Sequence, residues 1–213
     1  WNGLSPFGYE VVKKMNETGI MIDVSHISDS SFWDVMKATQ MPVIASHSSA
    51  RKFTPGFERN MSDTLITAIK GNGGVIMVNF GSDFVDGGVT QTNKNNETII
   101  NNVIKRKGWD PESAEAKHWV DVFRKQNPRI YADVEKVADH IDHIVSLAGI
   151  DHVGLGSDFD GVGDSLPNGL KDVADYPNLI ASLLHRGYSE NDIEKICYKN
   201  LFRVWQQVTE YGK

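Results

Sequence analysis

The chain has 213 residues, with 22 basic and 28 acidic side chains and a formal charge of −6. That length suits one domain with a real core or two small ones, and the acidic balance argues against a nucleic-acid or anionic-membrane surface, which needs a basic patch. With 40% hydrophobic and 23% charged residues the composition is that of a globular protein, not a disordered chain. The single cysteine, Cys197, permits neither an internal disulfide nor a cysteine-based zinc cluster. No run reaches the roughly 18 apolar residues of a membrane span, and no charged-then-apolar leader opens the chain. It starts on Trp1 rather than Met, so the expectation is that upstream sequence was removed or lies outside this stretch.

In chain order, Ser5-Pro6 predicts a helix start, with Ser5 as N-cap and a helix through Tyr9–Glu17 that Gly19 stops. Gly19 to His26 reads as a buried strand. Ser28-Asp29-Ser30-Ser31 caps a second helix carrying Phe32, Trp33, Val35 and Met36. Pro42 to His47 is a strand, Ser62 to Lys70 a helix, and Gly73 to Phe80 a third strand. Gly81 to Asn96 is rich in Gly, Asn, Asp and Thr and reads as a loop; about 97–126 reads as helices inserted after the third strand. Val134 to Leu147 is helical, Val153 to Asp158 a fourth strand, and helices follow near 175–186 and 189–209. Near-continuous apolar strands alternating with helices predict a parallel sheet covered on its helical side. No fixed-period repeat or low-complexity tract interrupts this single domain.

Three of these strands end in side chains that can bind metal: His26, His47 and Asp158. In parallel α/β folds ligands bind at the carboxyl ends of strands. Each histidine alone could simply satisfy a loop carbonyl. Two at the ends of adjacent strands, with a carboxylate on a later strand, favour a shared ion. Other matches carry less. Asp139-His140-Ile141-Asp142-His143 falls on a helix, where His140 and His143 could pair but are expected to cap or solvate it. Asp158-Phe159-Asp160-Gly161 lacks the later acidic positions of a calcium loop. No dinucleotide fingerprint or nucleophile elbow is present, and Ser46-His47-Ser48 are sequence neighbours rather than a triad. His152 precedes its strand and so sits at the wrong end; Trp33, Trp119 and Trp205 read as core or interface aromatics. Sequons at Asn16, Asn60 and Asn96 say little, because such triplets are common by chance.

Several motifs together are specific. Gly3-Leu4-Ser5-Pro6-Phe7-Gly8, Ile22-Asp23-Val24-Ser25-His26, Pro42 to Ala50, Glu58-Arg59-Asn60, Val75 to Phe80 and Gly156-Ser157-Asp158-Phe159-Asp160-Gly161 resemble the membrane (renal) dipeptidase family of zinc peptidases, peptidase family M19. The 21-residue separation of the two histidines fits, and the insertion at about 97–126 is more like bacterial members than the renal enzyme. The resemblance implies a (β/α)8 TIM barrel of the metal-dependent hydrolase type, hydrolysing dipeptides at a two-zinc site. By motif position, His26 and His47 match the two histidine ligands of one zinc. Arg59 matches the residue that pairs with the substrate carboxylate, and Asp158 the carboxylate that handles the proton and the substrate's amino end. The family's first-strand His-x-Asp pair, its bridging Glu and its substrate-binding His have no counterpart in this chain.

With four strands of eight in view, the expectation is the C-terminal half of a dipeptidase barrel over residues 1–213, with a loop and helical insertion at about 81–130, inactive without its N-terminal half. The alternative is a catalytically incomplete metal-binding or interaction module of the same fold. A Schiff-base lyase or aldolase would want a strand-end lysine, and none of the four strands has one. The partners expected are the dipeptide, the barrel's other half and a second copy in a homodimer, with no nucleic acid and no transmembrane segment. Neither the preferred dipeptide nor the compartment, cytoplasmic or periplasmic and secreted, follows from these residues.

Overall fold

A computed structural model describes residues 2–212, so Trp1 and Lys213 lie outside the described residues. Its centre is a three-stranded parallel sheet of β1 (Ile44–Ala45), β2 (Val75–Val78) and β3 (Val153–Leu155), in spatial order β1-β2-β3. The register pairs Ile44 with Val75 and Ala45 with Ile76, then Ile76 with Val153 and Val78 with Leu155.

The expected strand from Gly19 to His26 is reduced to one parallel bridge, Asp23 to Ile44, flanked by Val24 N–H donating to the Ile44 carbonyl and Ile44 N–H to that of Ile22. This segment lies at the sheet edge. Beyond Asp23 the ladder cannot continue, because the Asp23 side chain takes the Ser25 N–H and His26 turns left-handed at φ 67°.

The helices begin where the capping residues place them. In α1 (Pro6–Glu17) the Ser5 side chain accepts from Gly8 N–H at 3.1 Å; α2 (Asp29–Ala38) and α3 (Asp63–Asn72) are capped in the same way by Ser28 and Ser62. Gly19, the expected stop, leaves α1 at positive φ, and Gly73, expected to open the third strand, instead caps α3 at positive φ.

The Gly81–Asn96 loop is a correction. A short turn α4 (Ser82–Val85) leads straight into the 21-residue helix α5 (Gly87–Lys107). Its polar composition misled, because Asp86 caps it, accepting from Gly88 N–H at 2.8 Å and Val89 N–H at 3.2 Å, while only Val89 and Ile100 need burial. Helix α6 (Ala114–Gln126) packs against it, with Trp119 stacked on Phe123 at 5.3 Å.

Helix α7 (Val134–Ala148) buries Val137, Ala138, Ile141 and Ile144 on the sheet face formed by Ala45, Ile76, Val78 and Val153, together with α3 and α8 (Tyr176–His185). A short α9 (Glu190–Glu194) and a π turn at Lys195–Lys199 lead to α10 (Asn200–Tyr211). The sheet's other face is not left bare: Val204, Val208 and Leu201 of α10 pack on Ile44, Val75 and Met77. Asn200 fixes this helix by donating to the carbonyls of Ile150 at 2.7 Å and Val153 at 2.8 Å.

Of the tryptophans expected to be core or interface aromatics, Trp33 and Trp205 are 41% and 49% exposed, which removes the core half of that expectation. His140 does not solvate its helix: it is fully buried, with Nδ1 taking the Ala50 N–H at 2.9 Å and Nε2 bonded to the Val85 carbonyl at 3.0 Å. Asn16 and Asn60 are buried as well, which closes those two sequons to glycosylation in the folded chain.

Candidate active site

The loops leaving the carboxyl ends of the sheet bring His26, His47, Arg59 and Asp158 together. His26 Nε2 and His47 Nε2 face each other at 2.6 Å, with ring centroids 4.7 Å apart. Arg59 Nη1 touches both nitrogens of the His26 ring, and Arg59 Nη2 lies 3.5 Å from Asp158 Oδ2. His26 and Asp158 are the non-glycine residues with positive φ among the described residues, at 67° and 57°. Such a backbone costs on the order of 1–3 kcal/mol and persists where surrounding structure enforces it, commonly at functional sites.

Asp23 ties the two histidine loops together. Its Oδ1 accepts from Ser25 N–H at 2.9 Å and from Ser46 N–H at 3.1 Å, and its Oδ2 accepts from the Ser46 hydroxyl at 2.5 Å. Ser46 Oγ is in turn 2.6 Å from His47 Nδ1. Ser25 Oγ completes the crossing by accepting from His47 N–H at 3.1 Å. The close approach needs a glycine just after β3: a Cβ on Gly156 would run into the Ser46 and Met77 carbonyls.

Arg59 is held by its own loop. Arg51 forms a two-pronged ion pair with Asp29, at 2.8 and 2.6 Å, and donates to the carbonyls of Asn60 at 2.7 Å and Glu58 at 3.1 Å, gripping both neighbours of Arg59. Buried Asn60 donates to Thr54 Oγ1 and the Phe84 carbonyl and accepts from Ser49 N–H. The Arg59 guanidinium lies over the Phe84 ring, 4.8 Å from its centroid. Asp158 is oriented from the adjacent strand by buried Asn79, whose Nδ2 donates to Asp158 Oδ2 at 2.9 Å.

The electrostatics follow from this crowding. Loss of hydration, then the Arg59 cation and His47, pull the His26 imidazole below its ordinary value, against the opposing carboxylates of Asp158 and Asp23. Burial also lowers Arg59, opposed by Asp158. His26 is thus biased toward the neutral imidazole that binds metal. The donor set fits part of a metal centre: the Nε2 atoms of two imidazoles face each other, and the second nitrogen of His47 is occupied by a hydroxyl. No group of three or more His, Cys, Asp or Glu side chains able to hold an ion gathers among the described residues; His26 and His47 are two imidazoles where a zinc site usually has four ligands.

The other histidines lie elsewhere. His143 Nε2 bonds Asp63 at 2.8 Å, and His152 Nδ1 bonds the Gly74 carbonyl at 2.8 Å at the amino end of the sheet. Asp23, Arg51, Asn60 and Asn79 received no role from sequence reasoning. The signal for Asp23 and Asn79 was their place in the strand-end motifs; Arg51 had none, because its partner Asp29 is 22 residues away. Beside the site a cleft of about 640 Å³ shares Phe84 with the Arg59 stack and is walled by Phe57, Ile100 and Phe123, so the inserted helices border the region.

Comparison with known proteins identifies a family. A family model described as membrane dipeptidase (peptidase family M19) matches residues 1–213. The chain is 37% identical over 206 residues to an uncharacterised dipeptidase of Schizosaccharomyces pombe, covering 96% of this chain and 40% of that protein. It is 36% identical over 209 residues to the dipeptidase tcpJ of Claviceps purpurea, covering 98% and 39%. Among solved structures, a metallopeptidase from Rhodobacter sphaeroides liganded with a phosphinate mimic of the dipeptide L-Ala-D-Ala superposes with a TM-score of 0.74 at 28% identity, over 98% of this chain and 48% of that one. The chain therefore spans about two fifths of these curated relatives and about half of the solved structure.

Proposed function

The chain belongs to the membrane dipeptidase family, peptidase family M19, and on that premise we propose that it forms the C-terminal half of a (β/α)8 barrel hydrolysing dipeptides at a zinc-dependent site. The observation that carries this is the convergence of two imidazoles, a cation and a carboxylate at the carboxyl end of one parallel sheet. The relative that binds a phosphinate dipeptide mimic supports the substrate class.

In this reading His26 and His47 hold one of two zinc ions, the remaining ligands coming from outside residues 1–213. A metal ion bound there would supply an activated water and polarisation of the scissile carbonyl. Everything else is done by the chain. Arg59 offers a planar fork of donors to the dipeptide's carboxylate, and its stack on Phe84 holds that fork in one orientation. Asp158, ion-paired with Arg59 at 3.5 Å, is the anion available to the substrate ammonium once Arg59 turns to the carboxylate. Asn79 donates to Oδ2, so Oδ1 is the oxygen left to take the proton of the attacking water and pass it to the leaving amine. A second reading, a metal-binding module without catalysis, draws on the two-ligand donor set.

Turnover by the full-length protein decides between them. An enzyme that reads the carboxylate through Arg59 cleaves a free dipeptide far better than its C-terminal amide, and Arg59→Ala abolishes that preference. No turnover of any dipeptide by the zinc-loaded protein would leave the binding module.

A further inference from the structure

The hydrogen-bonded chain Asp23–Ser46–His47 has a direction that chemistry dictates. An ionised carboxylate can only accept. Asp23 Oδ2 therefore takes the Ser46 hydroxyl proton across 2.5 Å, which leaves a Ser46 oxygen lone pair facing His47 Nδ1 at 2.6 Å. That lone pair needs a donor, so His47 carries its proton on Nδ1 and presents a bare Nε2. The bare nitrogen is the one facing His26.

We propose that Asp23 is a positioning residue that, through the Ser46 hydroxyl, fixes the tautomer of His47 and so makes its Nε2 available to a divalent metal ion. The same carboxylate sets the spacing of the pair. With Oδ1 it holds the backbone N–H of Ser25, the neighbour of His26, and that of Ser46, the neighbour of His47. One side chain thus controls both where the two rings stand and which nitrogen of His47 is free. A metal-binding histidine commonly donates its other N–H to a carboxylate directly; here a serine is interposed, so the carboxylate's influence depends on a rotatable hydroxyl.

The substitution Asp23→Asn tests this with little change of shape. Two backbone N–H donors face the Oδ1 position, so the oxygen of the introduced amide must sit there and its NH2 must face Ser46. The Ser46 oxygen then accepts a hydrogen bond from that NH2, which frees its own hydrogen to point at His47 Nδ1. The expected tautomer is then the reverse, with the hydrogen on Nε2.

The inference rests on His47 being a metal ligand, so both are measured in the full-length protein with zinc as the probe. Competition against a chromophoric chelator gives zinc affinity, and ¹⁵N shifts of the histidine rings in the metal-free protein give the tautomer. The expected result is Nδ1–H at His47 in the parent, Nε2–H in Asp23→Asn, and zinc affinity lower by about 10–100-fold. Ser46→Ala, which leaves the Asp23 backbone contacts intact, releases the tautomer to a mixture and weakens zinc in the same direction. Should Asp23→Asn fail to fold, Ser46→Ala alone decides. An unchanged tautomer with zinc affinity within twofold of the parent overturns the proposal. Full zinc affinity in His47→Ala would instead overturn the ligand assignment beneath it.

Discussion

His26 and Asp158 share a left-handed backbone, at φ 67° and 57°, although they sit 132 residues apart and neither is glycine. Both end a strand-like segment, and the turn aims each side chain across the mouth of the sheet rather than along it. The conformation disfavours any residue with a Cβ by roughly 1–2 kcal/mol.

That strain predicts a stability difference without reference to metal. His26→Ala and His26→Gly both delete the imidazole, but only glycine relieves the backbone. In denaturant unfolding of the metal-free protein, His26→Gly is expected to be more stable than His26→Ala by about 1 kcal/mol, the Cβ penalty less the glycine entropy cost. Alanine equal to or better than glycine would show that the turn carries no such strain.

With Arg59 proposed to bind the substrate carboxylate, Arg51 is expected to act on it through the Arg59 loop. It grips the carbonyls on either side of Arg59 while its own charge is satisfied by Asp29, whose carboxyl is held below its usual range mainly by that hydrogen-bonded pair. Arg51→Lys keeps a charge and loses the fork. In the full-length enzyme KM for a dipeptide should rise several-fold with kcat little changed, because carboxylate binding is common to ground and transition states. A fall in kcat at constant KM would show that the loop serves the reacting centre instead.

Asp158→Asn keeps the side-chain shape and removes the proton acceptor. Steady-state kinetics of the full-length enzyme should show kcat lowered by roughly 10²–10⁴-fold. A kcat near that of the parent would take Asp158 out of the proton transfer.

Buried His140 gives the fold an acid limit. Burial moves its imidazole from the ordinary value of 6.5 down to about 4, and with Nδ1 accepting from Ala50 N–H it is neutral when folded. Between these values the unfolded chain binds a proton that the folded chain refuses, so stability is full above about pH 6.5 and falls as pH drops toward about 4. The loss from this one group is about 3 kcal/mol across that window. Denaturant melts from pH 7 to pH 4 should show the decline in the parent and a shallower one in His140→Gln. Equal slopes would place the titration elsewhere.

The sequence exposed the site more fully than the fold around it. His26, His47 and Asp158 stood out because each closes an apolar run, and strand ends in parallel sheets are where ligands bind. The support of that site was hidden, since Asp23 reaches Ser46 and Arg51 reaches Asp29 across 23 and 22 residues, and no local pattern encodes such pairings. The first half of helix α5, residues 87–96, was read as loop because a surface helix with two buried side chains has almost no apolar stripe; the Asp86 cap was its one local sign. The edge segment around Asp23 looked like a full strand because its apolar run is real, but a single neighbour on one side limits its ladder to one bridge. The cover that α10 gives the second sheet face depends on side-chain hydrogen bonds from Asn200 and Arg203 to carbonyls at the amino end of the sheet, contacts that periodicity does not reveal.

The central claim is that His26 and His47 hold the same metal ion. A crystal structure of the zinc-loaded full-length protein tests it most directly. The expected result is one zinc with the Nε2 atoms of both His26 and His47 at about 2.0–2.1 Å, the Ser46 hydroxyl still on His47 Nδ1, and Arg59 and Asp158 flanking the ion. Zinc bound with either ring turned away from it would contradict the shared site.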